Sequence, residues 1–400
     1  MPIRIGFTLS LTGGLGTNGQ TAFLAQKLWE EDTNQSGGLL GRPVQLICHD
    51  DQTNASLVRG LYEQLLDVDK VDLVIGGYGN NSLIPAMPLM MARQRYFVGL
   101  MGLGVNTSFD YPNYFVMIPT GPHPNTALTQ GFFEVASRQR PRPETVAILA
   151  ADADFARNPV AGAKENAGVH GFRIVSESTY SLATQDFTPI IRELQTTAPD
   201  ILFLCSYLSD SIGLVGAINA VGATPKIVGG AMIGPQSSSV KTALGSQLNG
   251  LVNYEYWLPV AQMMYPGVEE LIRRYQARAT TKPTADALGY YVAPLAYAQM
   301  QVVGQAIAAT QSVEDATLAE FTRKSVFKTV VGDVKFGRGG EWAVPRVLQV
   351  QFRNIDSHDI DQFKNPMTRV VVSPAELASG ELMYPYANAK KASPIVRSVR

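Results

Sequence analysis

The sequence has little cysteine and almost no net charge. Its two cysteines, Cys48 and Cys205, fall in separate strand-like runs, so the sequence predicts buried thiols rather than a disulfide. Lys and Arg total 33 against 34 Asp and Glu, a formal net charge of −1. Because binding to a phosphate backbone depends on excess positive charge, this balance argues against a nucleic-acid-binding protein.

Long apolar runs and a recognisable export leader are also missing. No apolar run approaches the roughly 20 residues that cross a bilayer, and Met1-Pro2-Ile3-Arg4 leads directly into strand-like sequence. As written, the sequence predicts a soluble and unexported chain. A leader can be removed from a mature protein, so we leave the compartment open between the periplasm and the cytoplasm.

Motifs for common chemistries are absent as well. The sequence contains no GxSxG, GxxxxGK[ST], HExxH or CxxC motif, and its four histidines are scattered. No spacing singles out a pair of carboxylates for acid and base catalysis. We therefore expect no enzyme, no metal site and no cofactor.

Short apolar runs rich in β-branched residues alternate with longer amphipathic stretches, which predicts an α/β fold with parallel sheets. A Pro-interrupted basic turn, Arg138–Pro143, separates two such series, so a second sheet should begin near residue 145. A helix is predicted over 285–309, and the Pro-rich residues near the C-terminus are predicted to be irregular and to wrap a surface.

The segment Gly14-Leu15-Gly16-Thr17-Asn18-Gly19 has the form GxGxxG between a strand and a helix, as in dinucleotide-binding proteins. The fingerprint requires its first glycine at the strand end and an acidic residue about 20 positions further on. Here the strand ends near Leu9, and Asp50 and Asp51 lie more than 30 residues beyond Gly14. An NAD-dependent enzyme stays open as the weaker alternative, beside a loop that binds some other anion through main-chain N–H groups.

Other glycine-rich segments follow predicted strands. In the first sheet they are Gly76–Ser82, which contains Tyr78, and Leu100–Gly104. In the second sheet Asp152–Ala156, Ser206-Tyr207 and Gly229–Met232 occupy equivalent positions. Each could be an ordinary helix cap or core packing, yet ligands of open α/β sheets bind beside the carboxyl ends of strands. Together these segments favour a ligand site.

Several of these segments resemble the type I periplasmic solute-binding proteins of the leucine/isoleucine/valine-binding family. The resemblance spans roughly residues 3–352, and a tail from about Val370, including Gly380–Tyr386, resembles an extension of one branch of the family. The matching segments are Ile5–Gly13, Asn34–Pro43, Asp50-Asp51, Gln185–Ile191, Leu288–Tyr291 and Val331–Phe336.

The resemblance implies two doubly wound lobes joined by three crossings, with one small ligand held between them. Lobe 1 would be residues 1–120 plus 255–328, lobe 2 residues 121–254 plus 329–354, and residues 355–400 an irregular C-terminal extension. The crossings would then lie near Pro119–Pro122, Leu251–Tyr256 and Lys328–Gly332.

The resemblance also implies site residues. Lobe 1 would hold a carboxylate through main-chain N–H groups and hydroxyls after its third and fourth strands, and lobe 2 would supply aromatic and apolar contacts. The implied ligand-binding residues are Asn18, Tyr78, Asn80, Asn81, Ser82, Met101, Gly102, Leu103, Phe155, Tyr207, Met232 and Tyr256. The family usually places an acidic residue after the fourth strand of lobe 2 to pair with an α-ammonium, whereas this sequence has none in Gly229–Gly234. Unless Asp154 or Asp210 substitutes, a zwitterionic amino acid would bind poorly.

The resemblance thus implies the solute-binding component of an ABC importer that closes on a small organic acid and then meets permease subunits in the membrane. An aromatic carboxylate is favoured over a branched-chain or other amino acid. The location would be the periplasm. The alternative of the same fold is a cytoplasmic ligand sensor, consistent with the missing leader, and the NAD-dependent enzyme is the third hypothesis.

Overall fold

The computed structural model describes residues 1–391. Its strands are β1 (Ile3–Leu9), β2 (Val44–Asp50), β3 (Leu73–Val74), β4 (Phe97–Gly99), β5 (Tyr114–Val116), β6 (Thr145–Ala151), β7 (Arg173–Tyr180), β8 (Ile201–Ser206), β9 (Ile227–Met232), β10 (Val252–Glu255), β11 (Val326–Thr329), β12 (Gly332–Lys335), β13 (Leu348–Phe352) and β14 (Arg369–Ser373). Its α-helices are α1 (Gly16–Gln35), α2 (Ala55–Asp67), α3 (Asn80–Ala92), α4 (Pro124–Ser137), α5 (Asp154–Val169), α6 (Thr188–Thr196), α7 (Leu208–Val221), α8 (Ser238–Leu244), α9 (Val268–Ala279), α10 (Ala293–Thr310), α11 (Asp315–Lys324) and α12 (Tyr386–Lys391).

The chain divides into two compact units. Unit 1 contains Met1–Pro124 and Met263–Arg346, and unit 2 contains Asn125–Gln262 and the chain from Val347 onward. The predicted α/β class is confirmed, since helices alternate with mainly parallel strands in both units.

Unit 1 is built on short parallel strands. Strands β2, β1 and β3 form one sheet in that order, and β4 pairs with β5 in another. The two are linked where the N–H of Gly76 donates to the carbonyl of Val98 at 2.9 Å. β3 has two residues and β4 has three, so both strands end early. The loops that follow them lie at the carboxyl edge.

Unit 2 is built on one seven-stranded sheet with the order β14-β13-β10-β9-β8-β6-β7. The strands from β6 to β10 are parallel, and β13 runs antiparallel to β10. Every residue of β8 is buried. A continuous apolar run of this kind is typical of a central parallel strand covered by helices on both faces.

The third crossing and the start of one helix differ from those the sequence suggested. The hairpin of β11 and β12 lies in unit 1, and the chain leaves that unit after Arg346 rather than near 328–332. Aromatic packing explains this placement, because the ring of Phe336 lies 5.2 Å from that of Phe115 and 6.2 Å from that of Phe327. Helix α10 begins at Ala293 rather than at 285, since Gly289 adopts a left-handed φ of 70° and Pro294 occupies the first turn.

The tail is not simply an irregular wrap. β14 pairs antiparallel with β13 and forms the edge of the unit 2 sheet. Its first residue, Arg369, is 1% exposed and donates from Nη2 to the carbonyl of Phe363 at 2.7 Å. The expectation for 392–400 concerns residues outside those described. None of the helices in residues 1–391 combines the length and the apolar character needed to cross a membrane.

Candidate functional site

The carboxyl edge of unit 1 carries three loops, which follow β1, β3 and β4. Because the strands in each sheet are parallel, the loops after them leave from the same edge. This edge holds eight of the predicted site residues: Asn18, Tyr78, Asn80, Asn81, Ser82, Met101, Gly102 and Leu103.

The first loop is held by Asp50 and not arranged around a phosphate. The Asp50 carboxylate accepts hydrogen bonds from the N–H groups of Leu11 and Thr12 and from the Thr12 hydroxyl, at 2.7 to 3.2 Å. Although burial opposes the shift, these bonds lower the pKa of Asp50. The acidic side chain that a dinucleotide fingerprint would offer to a ribose is therefore already in use.

Close packing accounts for the last glycine of the GxGxxG segment. A Cβ at Gly19 would lie 2.0 Å from the carbonyl oxygen of Ser10, whereas a Cβ at Gly14 would meet no atom within 4 Å. Gly19 thus lets α1 approach the end of β1. This is a packing requirement that needs no bound nucleotide.

Two buried polar side chains lie below this loop. Asn18 is 5% exposed, and its Nδ2 has no hydrogen-bond partner within residues 1–391. Asp51 is 1% exposed and accepts from the Ser10 hydroxyl at 2.5 Å and from the N–H of Thr53 at 3.0 Å. Burial raises the pKa of Asp51, and its hydrogen bonds offset only part of that effect.

The second and third loops are joined by Asn80, the first residue of α3. Its Oδ1 accepts from the N–H of Leu103 at 2.8 Å, and its Nδ2 donates to the carbonyl of Leu103 at 2.9 Å. The side-chain amide is thus engaged at both ends. A ligand contact by Asn80 would therefore come from its main-chain N–H, which is one of the groups that a helix start leaves without an intrahelical partner.

Main-chain N–H groups at this edge suit an anion. The N–H groups of Met101 and Gly102 donate no hydrogen bond within the described chain. Asn81 lies in the first turn of the 13-residue α3. Ser82 is fully buried, with its hydroxyl 3.2 Å from that of Thr8. The N–H groups of residues 101 and 102 and the positive end of α3 are therefore donors available to an anion at this edge.

Two side chains that sequence reasoning did not select also shape this edge. Gln299 of α10 is fully buried and donates from Nε2 to the carbonyls of Gly76 and Val98, at 2.8 and 2.7 Å. Tyr291 packs edge-on against Tyr78, with ring centroids 6.4 Å apart. The sequence signal for Gln299 was a polar residue among the apolar positions of a helix.

The carboxyl edge of unit 2 brings two predicted aromatics together. Phe155 and Tyr207 follow the adjacent strands β6 and β8, and their rings meet edge to face at 6.0 Å. The Tyr207 hydroxyl accepts from the N–H of Phe155 at 3.2 Å. Both residues are partly exposed, so this pair forms an accessible aromatic surface at the carboxyl edge of unit 2.

The carboxylate of Asp210 is engaged within unit 2. Its Oδ2 accepts from the Tyr180 hydroxyl at 2.5 Å and from the N–H of Tyr207 at 3.1 Å, and its side chain is buried. Asp210 therefore fixes the start of α7 and is poorly placed to replace the missing acid after β9. The side chain of Asp154 lies outside the described set.

Met232 and Tyr256 are buried more deeply than a ligand surface requires. Met232 is fully buried at the end of β9, where its N–H donates to Oδ1 of Asn253 at 3.0 Å. Tyr256 is 1% exposed, and its ring lies 5.3 Å from that of Tyr254. Their ligand contacts remain predictions.

Comparisons with known proteins agree with this architecture. A family model described as periplasmic binding protein matches residues 2–353. The chain is 23% identical over 364 residues to Leu/Ile/Val-binding protein homolog 8 of Brucella abortus, covering 88% of each chain.

Solved structures show the same fold. A branched-chain amino acid transporter substrate binding protein from Streptococcus pneumoniae, in complex with isoleucine, has a TM-score of 0.76 at 15% identity, covering 94% of this chain and all of that one. An ABC transporter solute binding protein from Rhodopseudomonas palustris BisB5, in complex with 3,4-dihydroxy benzoic acid, has a TM-score of 0.72 at 17% identity, covering 89% and 94%.

These findings confirm the resemblance and the prediction that the protein is not an enzyme, because the family and its structural neighbours are solute-binding proteins. They do not support a dinucleotide site at Gly14, Gly16 and Gly19. The chain belongs to the periplasmic binding protein family, with the fold of the Leu/Ile/Val-binding proteins.

Proposed function

We propose that the protein is the solute-binding component of an ABC importer and that it captures a small organic acid, preferably an aromatic one, in the periplasm. The observation that carries the proposal is the pairing of Phe155 with Tyr207 in a unit that lacks an acidic residue in 229–234. An aromatic wall without a carboxylate favours a ring over an ammonium group.

The carboxylate of the ligand binds to unit 1. The N–H groups of Met101 and Gly102 and the start of α3 donate to it, and Tyr78 lies beside them. The ligand ring meets Phe155 and Tyr207. Ligand binding draws the two units together, and the closed form is the one recognised by permease subunits.

The energetics require both ends of the ligand. Burying an aromatic ring hides roughly 150–250 Å², worth about 4–6 kcal/mol at about 25 cal/mol per Å². Association costs are of similar size, so the ring alone gives weak binding. A buried α-ammonium without a carboxylate partner would cost several kcal/mol, which disfavours leucine and isoleucine.

Thermal-shift and calorimetric titrations test the proposal. Benzoate and 3,4-dihydroxybenzoate are expected to raise the melting temperature and to bind in the micromolar range, whereas leucine and isoleucine are not. Phe155→Ala should weaken binding of the aromatic acids about tenfold or more, and Phe109→Ala, at a partly exposed position of unit 1, serves as the control. Stabilisation by leucine alone would refute the aromatic-acid assignment.

Solution scattering tests closure. A saturating aromatic acid is expected to reduce the radius of gyration, since closure makes the protein more compact. An acid that binds with no change in the scattering profile would refute closure while leaving the ligand class intact.

A further inference from the structure

Arg346 is the last residue of unit 1, and its guanidinium lies against two aromatic rings. Its central carbon is 4.8 Å from the ring of Trp342 and 5.4 Å from that of Tyr265. Nη1 donates to the Tyr265 hydroxyl at 3.2 Å, and the main-chain N–H donates to the carbonyl of Pro119 at 2.8 Å. These contacts fix both the plane and the position of the guanidinium.

The opposite edge of this guanidinium has no partner in the protein. Nε and Nη2 are both buried, and neither makes a hydrogen bond within residues 1–391. The ion pairs recorded among those residues do not include Arg346. Burial lowers the pKa of Arg346, and Tyr265 offsets part of the shift, yet an arginine keeps its charge at neutral pH. A buried positive charge with two unsatisfied donors is costly unless an anion completes it.

The position of Arg346 matches that of the proposed site. The segment before it runs alongside β5, as shown by the 2.9 Å bond from the N–H of Val116 to the carbonyl of Gly340. Arg346 itself meets Pro119, beyond the end of β5. Because β5 is parallel to β4, Arg346 lies at the same carboxyl edge as Met101 and Gly102.

The free edge has the geometry of a carboxylate receptor. Nε–H and one N–H of Nη2 lie on the same side of the planar guanidinium and are parallel. Together they can donate two hydrogen bonds to the two oxygens of one carboxylate. Main-chain N–H groups supply only partial charges, whereas Arg346 supplies a full one. A site with this cation and without an acidic residue after β9 favours a ligand of net negative charge.

We propose that Arg346 binds the carboxylate of the transported acid through Nε and Nη2 and thereby selects anionic acids over zwitterionic amino acids and uncharged amides. The inference rests on the proposed function and names the residue that sets its substrate class. Trp342 and Tyr265 hold the guanidinium in place and exclude water from its faces.

Paired ligands that differ in charge test the proposal. Wild-type protein is expected to bind benzoate more tightly than benzamide, and 4-methylpentanoate more tightly than leucine, which differs from it by the α-ammonium. Arg346→Met should weaken binding of both acids about 10- to 150-fold, the range for losing hydrogen bonds to a charged group, and leave benzamide binding unchanged. Arg346→Lys should give an intermediate loss, because an ammonium keeps the charge but not the two-point geometry.

Arg353→Met is the matched control. Arg353 is also partly buried, but its guanidinium is engaged by Gln351 and by the carbonyl of Glu381 in unit 2. This variant is expected to bind every ligand as wild type does. Arg346→Lys also keeps the test available if the methionine variant does not fold.

The outcomes separate the two proposals. Equal acid binding by wild type and Arg346→Met, an equal loss for benzoate and benzamide, or a wild-type preference for leucine over 4-methylpentanoate would each overturn the assignment of Arg346. If wild type binds neither the acids named here nor 3,4-dihydroxybenzoate, the proposed function itself is wrong and this inference is wrong with it.

Discussion

The fully buried pair Gln26 and Gln299 gives the sharpest test of how the carboxyl edge of unit 1 is held. Gln299 donates to the carbonyls of Gly76 and Val98, and its Oε1 accepts from Nε2 of Gln26 at 2.9 Å. Replacing Gln299 with leucine keeps the volume similar and removes every one of these bonds. The backbone at Gly76 then has to hold its position without the side chain.

The expected cost follows from the groups that lose their partners. The carbonyl of Val98 keeps its bond from the N–H of Gly76, but the carbonyl of Gly76 and Nε2 of Gln26 lose theirs. Each buried unsatisfied group costs about 1–3 kcal/mol, so Gln299→Leu should lower the free energy of unfolding by about 2–6 kcal/mol. Adding Gln26→Leu removes one of the two groups left without a hydrogen-bond partner. The double variant should therefore recover about 1 kcal/mol or more of the free energy of unfolding.

Urea denaturation measures these changes. Trp257 is the tryptophan of unit 2, so a Trp257→Phe background leaves Trp29 and Trp342 to report on unit 1 by fluorescence. Gln305→Leu is the control on the same helix, since its bonds to Lys328 are solvent-accessible and their loss should cost about 1 kcal/mol or less.

Two results would refute this reasoning. One is a Gln299→Leu variant that is no less stable than Gln305→Leu. The other is a double variant less stable than Gln299→Leu, because adding Gln26→Leu should remove a donor that lacks a partner and should not create a new one.

Two further predictions concern the first loop of unit 1. Gly19→Ala should lower the free energy of unfolding by about 3 kcal/mol or more, since its Cβ would lie 2.0 Å from the carbonyl oxygen of Ser10. Gly14→Ala is the control and should be neutral in the same urea titration. Equal effects of the two substitutions would contradict the packing explanation. Burial raises the pKa of Asp51 above its unfolded value, so the folded state holds the proton more tightly and stability falls as pH rises through that interval. Melting temperatures of wild type and Asp51→Asn from pH 3 to 8 should therefore shift in favour of the variant as pH rises, and a shift towards wild type would disprove the assignment.

The sequence predicted best those elements whose pattern is local. β1, β6 and β8 are long apolar runs, and the strands that these runs predict, over 3–9, 145–150 and 200–205, lie within one residue of the observed bounds. The apolar run over 71–76 also predicts a strand, but only the two residues of β3 are paired as one, and the carbonyl of Gly76 bonds to Gln299 instead. β14 was missed although it contains three consecutive valines, because the Pro-rich sequence around it favoured an irregular tail; its pairing with β13 makes it the edge strand.

The positions of the candidate site residues in the fold were predicted in part for the same reason. Phe155 and Tyr207 were expected at neighbouring strand ends, and the adjacency of β6 and β8 brings them together. The ligand contact of Asn80 stays a prediction, and sequence reasoning did not foresee that its side chain bonds to Leu103, which lies 23 positions away in the sequence. Arg346 carries no motif, since its neighbours Trp342, Tyr265 and Pro119 are assembled only by the fold.

The hydrogen bonds from Asp50, Asn80 and Gln299 to loop backbone follow from what the proposed main-chain anion site requires. Donors such as the N–H groups of Met101 and Gly102 can meet a ligand only where the β-ladder stops, and stopping the ladder leaves buried carbonyls and N–H groups that must be satisfied some other way. Asp50, Asn80 and Gln299 satisfy them from the side chain, each bonding to the backbone of a loop at the carboxyl edge. Arg346 shows the complementary case, in which the fold leaves side-chain donors unpaired. A buried amide or carboxylate bonded to loop backbone thus explains how these loops keep their shape after the β-ladder ends.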